Sequence, residues 1–234
     1  MEKCNYRKDP HQDIDHVFRD LLPAHGMVER PAQVELSHQM LDAMLNGSIA
    51  LCDAGTGIGK TYAYLVAGVV FRRYRSRAGL PNQPLLISTS SIALQGAIIH
   101  DYLPFLSKVM MADGMLDSPL RAVLRKGKSH YVCDARLMKR LQTANLDRKN
   151  PLAKAALLSM RDHLDLDMAP HLSGYDRERI CVPPTCDCGK TECRYLCYLD
   201  VCASERYAIQ VCNHNLLLAD AIHRGSGKRP ILPD

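Results

Sequence analysis

The sequence predicts an α/β fold in which helices pack on a parallel sheet, the sheet being interrupted by a mainly helical, cysteine-rich insertion. Three features predict it. A glycine-rich turn, Ala54 to Gly59, joins a short apolar run to a helix on which Tyr62, Leu65, Val66, Val69 and Val70 share one face. A second apolar run, Leu85 to Thr89, is again followed by a helix, opening at Ser90-Ser91-Ile92. A third, Tyr207 to Cys212, arrives only after a segment holding Cys181, Cys186, Cys188, Cys193, Cys197 and Cys202. The expected division is therefore 1–106 for the first part of the sheet domain, 107–203 for the insertion and 204–234 for the return.

Taken in order, residues 11–22 form a short amphipathic helix stopped near Pro23, with His11 and His16 at its surface. Arg30-Pro31-Ala32-Gln33 opens the next helix, with proline in its first turn. Arg30 and Gln33 stand one turn apart and suit contact with a nucleotide base, or simply a polar helix surface. Ser48 to Cys52 is expected as a short buried strand, with Cys52 packed at its end.

The loop that follows, Ala54-Gly55-Thr56-Gly57-Ile58-Gly59-Lys60-Thr61, closes on Gly-Lys-Thr. Small residues let backbone N–H groups turn inward around a polyphosphate, Lys60 brings a charge to the terminal phosphates, and the Thr61 hydroxyl suits Mg²⁺. ATP with Mg²⁺ is the expected ligand, and Lys60 and Thr61 are the expected catalytic residues. The helix ends in Arg72, Arg73, Arg75 and Arg77, cations that complement its negative end. Thr89, Ser90 and Gln95 cluster at the carboxyl end of the second strand, where α/β sheets bind ligands, and suit a phosphodiester backbone. The serines also suit a helix cap.

In a chain of 234 residues, 47% hydrophobic and 24% charged residues argue against a disordered chain. No apolar run is long enough to span a membrane and the amino terminus lacks a secretory pattern, so a cytoplasmic protein is expected. A net charge of +5 permits nucleic-acid binding without requiring it. Ten cysteines without a signal peptide suggest metal or cluster ligands rather than disulfides. Cys52 and Cys212 are the exceptions, since each lies in an apolar run where packing explains it.

The insertion carries a basic patch at Arg125-Lys126-Gly127-Lys128, then Tyr131 and Cys133, a helical stretch near 151–164, and the cysteine segment. Cys181-x4-Cys186-x6-Cys193, with Cys133 upstream, supplies four thiolates, enough for tetrahedral zinc or a [4Fe–4S] cluster. Spacing alone does not choose, although the absence of any C-x2-C pair favours iron and sulfur over zinc.

Several segments together resemble the bacterial DinG helicases and their XPD relatives, superfamily 2 enzymes with an iron–sulfur domain inserted in the first RecA-like domain. Arg30 to Gln33 is similar to the family's glutamine motif, Ala54 to Thr61 to motif I, and Ser88 to Gln95 to motif Ia. Lys126 to Cys133 is similar to the segment bearing the first cluster ligand, and Cys212-Asn213-His214-Asn215-Leu216-Leu217-Leu218 to the element before motif II. The resemblance covers about residues 28–230. It implies a RecA-like P-loop NTPase fold and ATP-driven 5′ to 3′ unwinding of single-stranded or forked DNA by a monomer.

The same resemblance implies Cys133, Cys181, Cys186 and Cys193 as cluster ligands, with Cys188 and Cys197 as replacements. It implies Thr89, Gln95, Arg125, Lys126, Lys128 and Tyr131 as DNA contacts. The family's Asp-Glu-Ala-His box and second RecA-like domain do not occur in the sequence. An amino-terminal portion that hydrolyses ATP poorly by itself is therefore expected. Two other classes compete: a zinc-bearing nucleic-acid-binding module with a vestigial phosphate loop, and a P-loop small-molecule ATPase or kinase. The ordered motifs argue against both.

Overall fold

A computed structural model describes residues 9–186, 193–204, 206–227 and 230–232. The chain forms two compact units: one runs to Leu124 and resumes after Ser204, the other is Arg125–Ser204.

The first unit opens with α1 (Pro10–His16), a π-helical turn (Val17–Leu21) and α2 (Leu22–Ala24) in unbroken succession, so the helix stops one residue past Pro23. Helix α3 (Pro31–Leu45) carries proline in its first turn, and α4 (Lys60–Arg77) follows the glycine-rich loop. Strand β1 (Leu85–Ser88) leads through Ser91, whose hydroxyl caps α5 (Ile92–Ala97), into a second π-helical turn (Ile98–Tyr102) and α6 (Leu103–Ala112). Strand β2 (Ala122–Arg125) reaches the boundary with the second unit, and β3 (Ile209–Cys212) and α11 (His214–Gly225) belong to the return. Sheet order is β1-β3-β2, and β1 runs parallel to β3 with Leu85 opposite Ile209 and Ser88 opposite Cys212.

Helix α4 is the centre of this unit. Leu65, Val66, Val69 and Val70 are buried as their spacing requires, but so are Ala63, Ala67 and Gly68, because α3 covers one side of α4 and the sheet another. Gly68 permits the close approach to the sheet, since a Cβ there would meet Leu85 Cδ2 at 2.3 Å. Ile14, Phe18, Leu41, Leu103, Leu106 and Met110 complete the same core.

Two expectations are corrected here. Ser48 to Cys52 is not a strand: it has no ladder, and Ile49 and Leu51 are 95% and 98% exposed. A strand needs a neighbouring backbone to hydrogen-bond with, and although Ala50 and Cys52 share a cavity with Leu85 to Ser88 of β1, the run forms no ladder with that strand. Cys52 is accordingly exposed rather than packed. The division near residue 107 also moves, to Arg125, because α6 and β2 pack with the first core through Leu103, Leu106, Met110 and Leu124.

The second unit is mainly helical: α7 (Asp134–Thr143), α8 (Pro151–Ser159), α9 (Gly174–Ile180) and α10 (Arg194–Ala203). Val132, Leu137, Leu157, Met160, Leu166 and Ile180 form its core. Two antiparallel bridges, Tyr131 with Asp165 and Val132 with Cys181, tie the entering chain to later segments. Asp176, with a fully buried side chain, binds Arg140, Lys149 and Ser173, each at 2.7 Å, and these partners hold its carboxyl below the usual range against the opposing effect of burial.

Candidate functional site

The loop of residues 54–59 delivers its backbone to the amino end of α4, where the helix presents unpaired N–H groups and the positive end of its dipole. Gly57 and Gly59 adopt φ of 83° and 87°, left-handed values that place successive amides on one side of the turn. Lys60 folds back over the loop, its ammonium donating to the carbonyls of Ala54 at 2.8 Å and Gly55 at 3.1 Å. Thr61 stands in the first turn of α4 and is bonded to Tyr64, whose hydroxyl burial pushes above the usual tyrosine range.

Arg30 and Gln33 reach the same loop, but by a route that helix spacing alone does not reveal. The Arg30 guanidinium donates to the carbonyl of Gly57, and the buried Gln33 amide donates to that of Gly59 at 2.7 Å. Gln33 thus holds the loop's backbone at the point where it enters α4, and the exposed Arg30 spans its rim.

At the carboxyl end of β1, Thr89 donates its backbone N–H to Cys212, extending the ladder, and its side chain accepts from Ser91. Gln95 is buried and donates to the Thr89 carbonyl at 2.9 Å, so it fixes this turn rather than facing outward. The Ser88 hydroxyl and His214 Nδ1 lie 2.8 Å apart, joining the end of β1 to the start of α11, which Asn213 caps. The sequence contained the signal for this contact in the Asn213-His214 pair, but not its partner.

In the second unit the basic patch is largely internal. Arg125 and Tyr131 are 4% and 3% exposed, and the Tyr131 hydroxyl accepts from the Lys126 backbone and bonds Tyr198 at 3.0 Å. Lys126 is held by Asp165 at 2.5 Å and Asp167 at 2.8 Å. Arg125 and Tyr131 therefore offer no face to DNA, and Lys126 is already committed. Lys128 remains at the surface, donating to the Pro184 carbonyl. Around Tyr131 pack Tyr195 and Tyr198, with ring centroids 5.4 and 4.9 Å away, and burial pushes the Tyr195 hydroxyl up to about 12.

Two of the expected thiols, Cys133 and Cys181, belong to neighbouring backbone positions, and Cys193 is connected to them through a side-chain ion pair. Cys133 precedes α7 and donates its N–H to Ile180, beside Cys181, which pairs with Val132. Arg136 donates to the Cys181 carbonyl at 2.7 Å and approaches its sulfur at 3.7 Å. Cys193 precedes α10, and its neighbour Arg194 binds Asp134, the neighbour of Cys133, at 2.5 Å. Cys186 is exposed and Cys188 lies outside the described residues. Among the described residues no three cysteine, histidine or acidic side chains converge as metal ligands. The donor set is nonetheless chemically suited to iron or zinc. No described helix is long and apolar enough to cross a membrane.

The sequence matches curated proteins of known name. It is 26% identical over 227 residues to the ATP-dependent DNA helicase YoaA of Haemophilus influenzae, covering 89% of this chain and 32% of that protein. It is 27% identical over 218 residues to YoaA of Escherichia coli, with the same two coverages. A 144-residue match at 31% identity to the 3'-5' exonuclease DinG of Bacillus subtilis covers 62% of this chain and 14% of that protein. The chain thus spans about a third or less of these relatives. No protein-family model matches it. No solved structure matches it either.

Proposed function

We propose, from the chain's distant homology to the DinG and YoaA ATP-dependent DNA helicases, that it is the nucleotide-binding portion of a DNA helicase motor with a RecA-like core. The observation that carries this is the loop itself: two left-handed glycines, the amino end of α4, and Lys60 lying across the loop carbonyls. In this reading Ala54 to Gly59 wrap the phosphates of ATP with backbone N–H groups, and the Lys60 ammonium exchanges two carbonyl partners for phosphate oxygens. The Thr61 hydroxyl turns to Mg²⁺, which supplies charge neutralisation when bound. Gln33 keeps Gly59 in register, while Arg30, exposed at the rim, faces the base.

Thr89, at the carboxyl end of β1, and Lys128 are the proposed contacts to single-stranded DNA, through phosphates rather than bases. Cys133, Cys181, Cys186 and Cys193 are the proposed ligands of a [4Fe–4S] cluster, which when bound ties the entry and exit of the inserted unit. The backbone contacts that set Cys133 beside Cys181, and the ion pair between Arg194 and Asp134, the neighbours of Cys193 and Cys133, support that assignment. The YoaA relatives, named as ATP-dependent DNA helicases, are about three times as long as the stretch they share with this chain. The test is Mg²⁺-dependent ATP affinity: Lys60→Ala lowers it at least tenfold, and an unchanged affinity overturns the reading.

A further inference from the structure

The first unit holds a second anion-attracting cavity, and it lies on the opposite edge of the sheet. Its volume is about 650 Å³, within the range of small-molecule sites. Arg72, Arg73, Arg77, Arg121 and Arg206 line it, and Asp117 is the one acid among the described lining residues. Asp13, buried beneath, binds Arg77 at 3.0 Å and Arg73 at 3.5 Å. Arg72 also donates to the carbonyl of Gln83, and Arg73 to that of Met115.

The position follows from the topology. Asn82 precedes β1, Arg121 precedes β2, and Arg206 and Ala208 precede β3, so all three strands enter the sheet from this cavity. Thr89 leaves β1 at the other edge. Arg72, Arg73 and Arg77 occupy the last turns of α4, and Arg77 lies roughly 25 Å along the helix from Lys60. The cavity is therefore separate from the glycine-rich loop.

Its lining also discriminates. Val69 and Leu116 provide an apolar wall, and Asn82 adds a carboxamide whose Oδ1 is buried without a hydrogen-bond partner. A buried acceptor left unsatisfied costs free energy that a donor on a ligand would recover. Guanidinium forks match phosphate oxygens in geometry and charge. We propose that this cavity binds a small phosphorylated molecule bearing an N–H or O–H donor on an apolar body, a nucleoside mono- or diphosphate being the class that fits. The arginines take the phosphate, and Asn82 accepts from the base or sugar. The site makes no use of the loop at residues 54–61 and stands independently of the helicase reading.

The experiment uses the full chain with Lys60→Ala, without Mg²⁺, titrated calorimetrically with ADP and with inorganic pyrophosphate. The expected result is one ADP per chain, displaced by pyrophosphate. Arg121→Gln with Arg206→Gln, both at exposed positions, weakens both ligands at least tenfold with an unchanged melting temperature. Asn82→Ala weakens ADP and leaves pyrophosphate unaffected. No binding at millimolar ADP overturns the proposal, as does binding indifferent to the two arginines. Arginine-dependent capture of a dT12 oligonucleotide without ADP binding also overturns it, in favour of a polyanion surface.

Discussion

The side-chain amide of Gln33 donates to the carbonyl of Gly59 at 2.7 Å, and a Cβ on Gly59 would stand 2.0 Å from that same nitrogen. One contact thus fixes both the identity of residue 59 and the entry of the loop into α4.

Gly59→Ala meets two obstacles: the collision with Gln33, and a φ of 87° that costs a non-glycine residue about 1–2 kcal/mol. The variant is expected to melt lower and to lose ATP affinity at least tenfold. Gln33→Ala relieves the collision but not the φ, so the double variant recovers only part of the melting temperature in thermal denaturation. Full recovery would show that Gln33 is the whole cause.

Asp176 is a buried anion with three partners in the second unit. Asp176→Ala leaves Arg140 and Lys149 without their carboxylate and is expected to cost about 3–5 kcal/mol. Because the folded-state pKa of Asp176 is depressed, its stabilisation is complete above the unfolded value of about 3.9 and is lost as pH falls through the lower folded value. Urea unfolding followed by tyrosine fluorescence between pH 7 and pH 2 measures both effects. A variant as stable as the parent at pH 7 would contradict them.

His16 was expected at the surface, but it is bonded to Asp20 at 2.7 Å and Asp113 at 3.1 Å. Burial alone lowers its pKa, and the two carboxylates outweigh that effect and raise it. The sign is opposite to that of Asp176. The stabilisation is complete below the unfolded value of about 6.5 and is lost as pH rises through the higher folded value. Melting temperature is expected to decline over that window in the parent protein and to stay flatter in His16→Gln.

Iron and sulfide analysis of anaerobically purified protein tests the thiol assignment. About four irons per chain are expected, with colour lost in Cys133→Ser and kept in Cys202→Ser, whose sulfur is fully buried. One zinc and no colour would instead favour a structural zinc module.

What was legible in the sequence was whatever local chemistry dictates. The Gly-Lys-Thr turn, the buried face of α4, β1, β3, and the cap at Ser91 all follow from patterns a few residues long. What was not legible depends on distant partners. Ile49 and Leu51 have the composition of a buried strand but stay exposed, because their run faces β1 across a cavity without forming a ladder with it. Strand β2 was hidden by Arg121 before it and by Arg125, its own last residue. Arg125, Lys126 and Tyr131 resemble an exposed nucleic-acid patch until Asp165, Asp167, Tyr195 and Tyr198 are brought against them. Gln95 has the appearance of a surface donor, and only the turn at Thr89 shows that its amide is used internally.

The most direct measurement of the central claim is hydrogen exchange at the amides of residues 54–61 with and without Mg²⁺ and ATP, because it reads the loop itself. The account predicts strong protection there in the parent protein, abolished by Lys60→Ala and retained in Arg121→Gln with Arg206→Gln. Exchange in this segment that is unchanged by millimolar Mg²⁺ and ATP would contradict it.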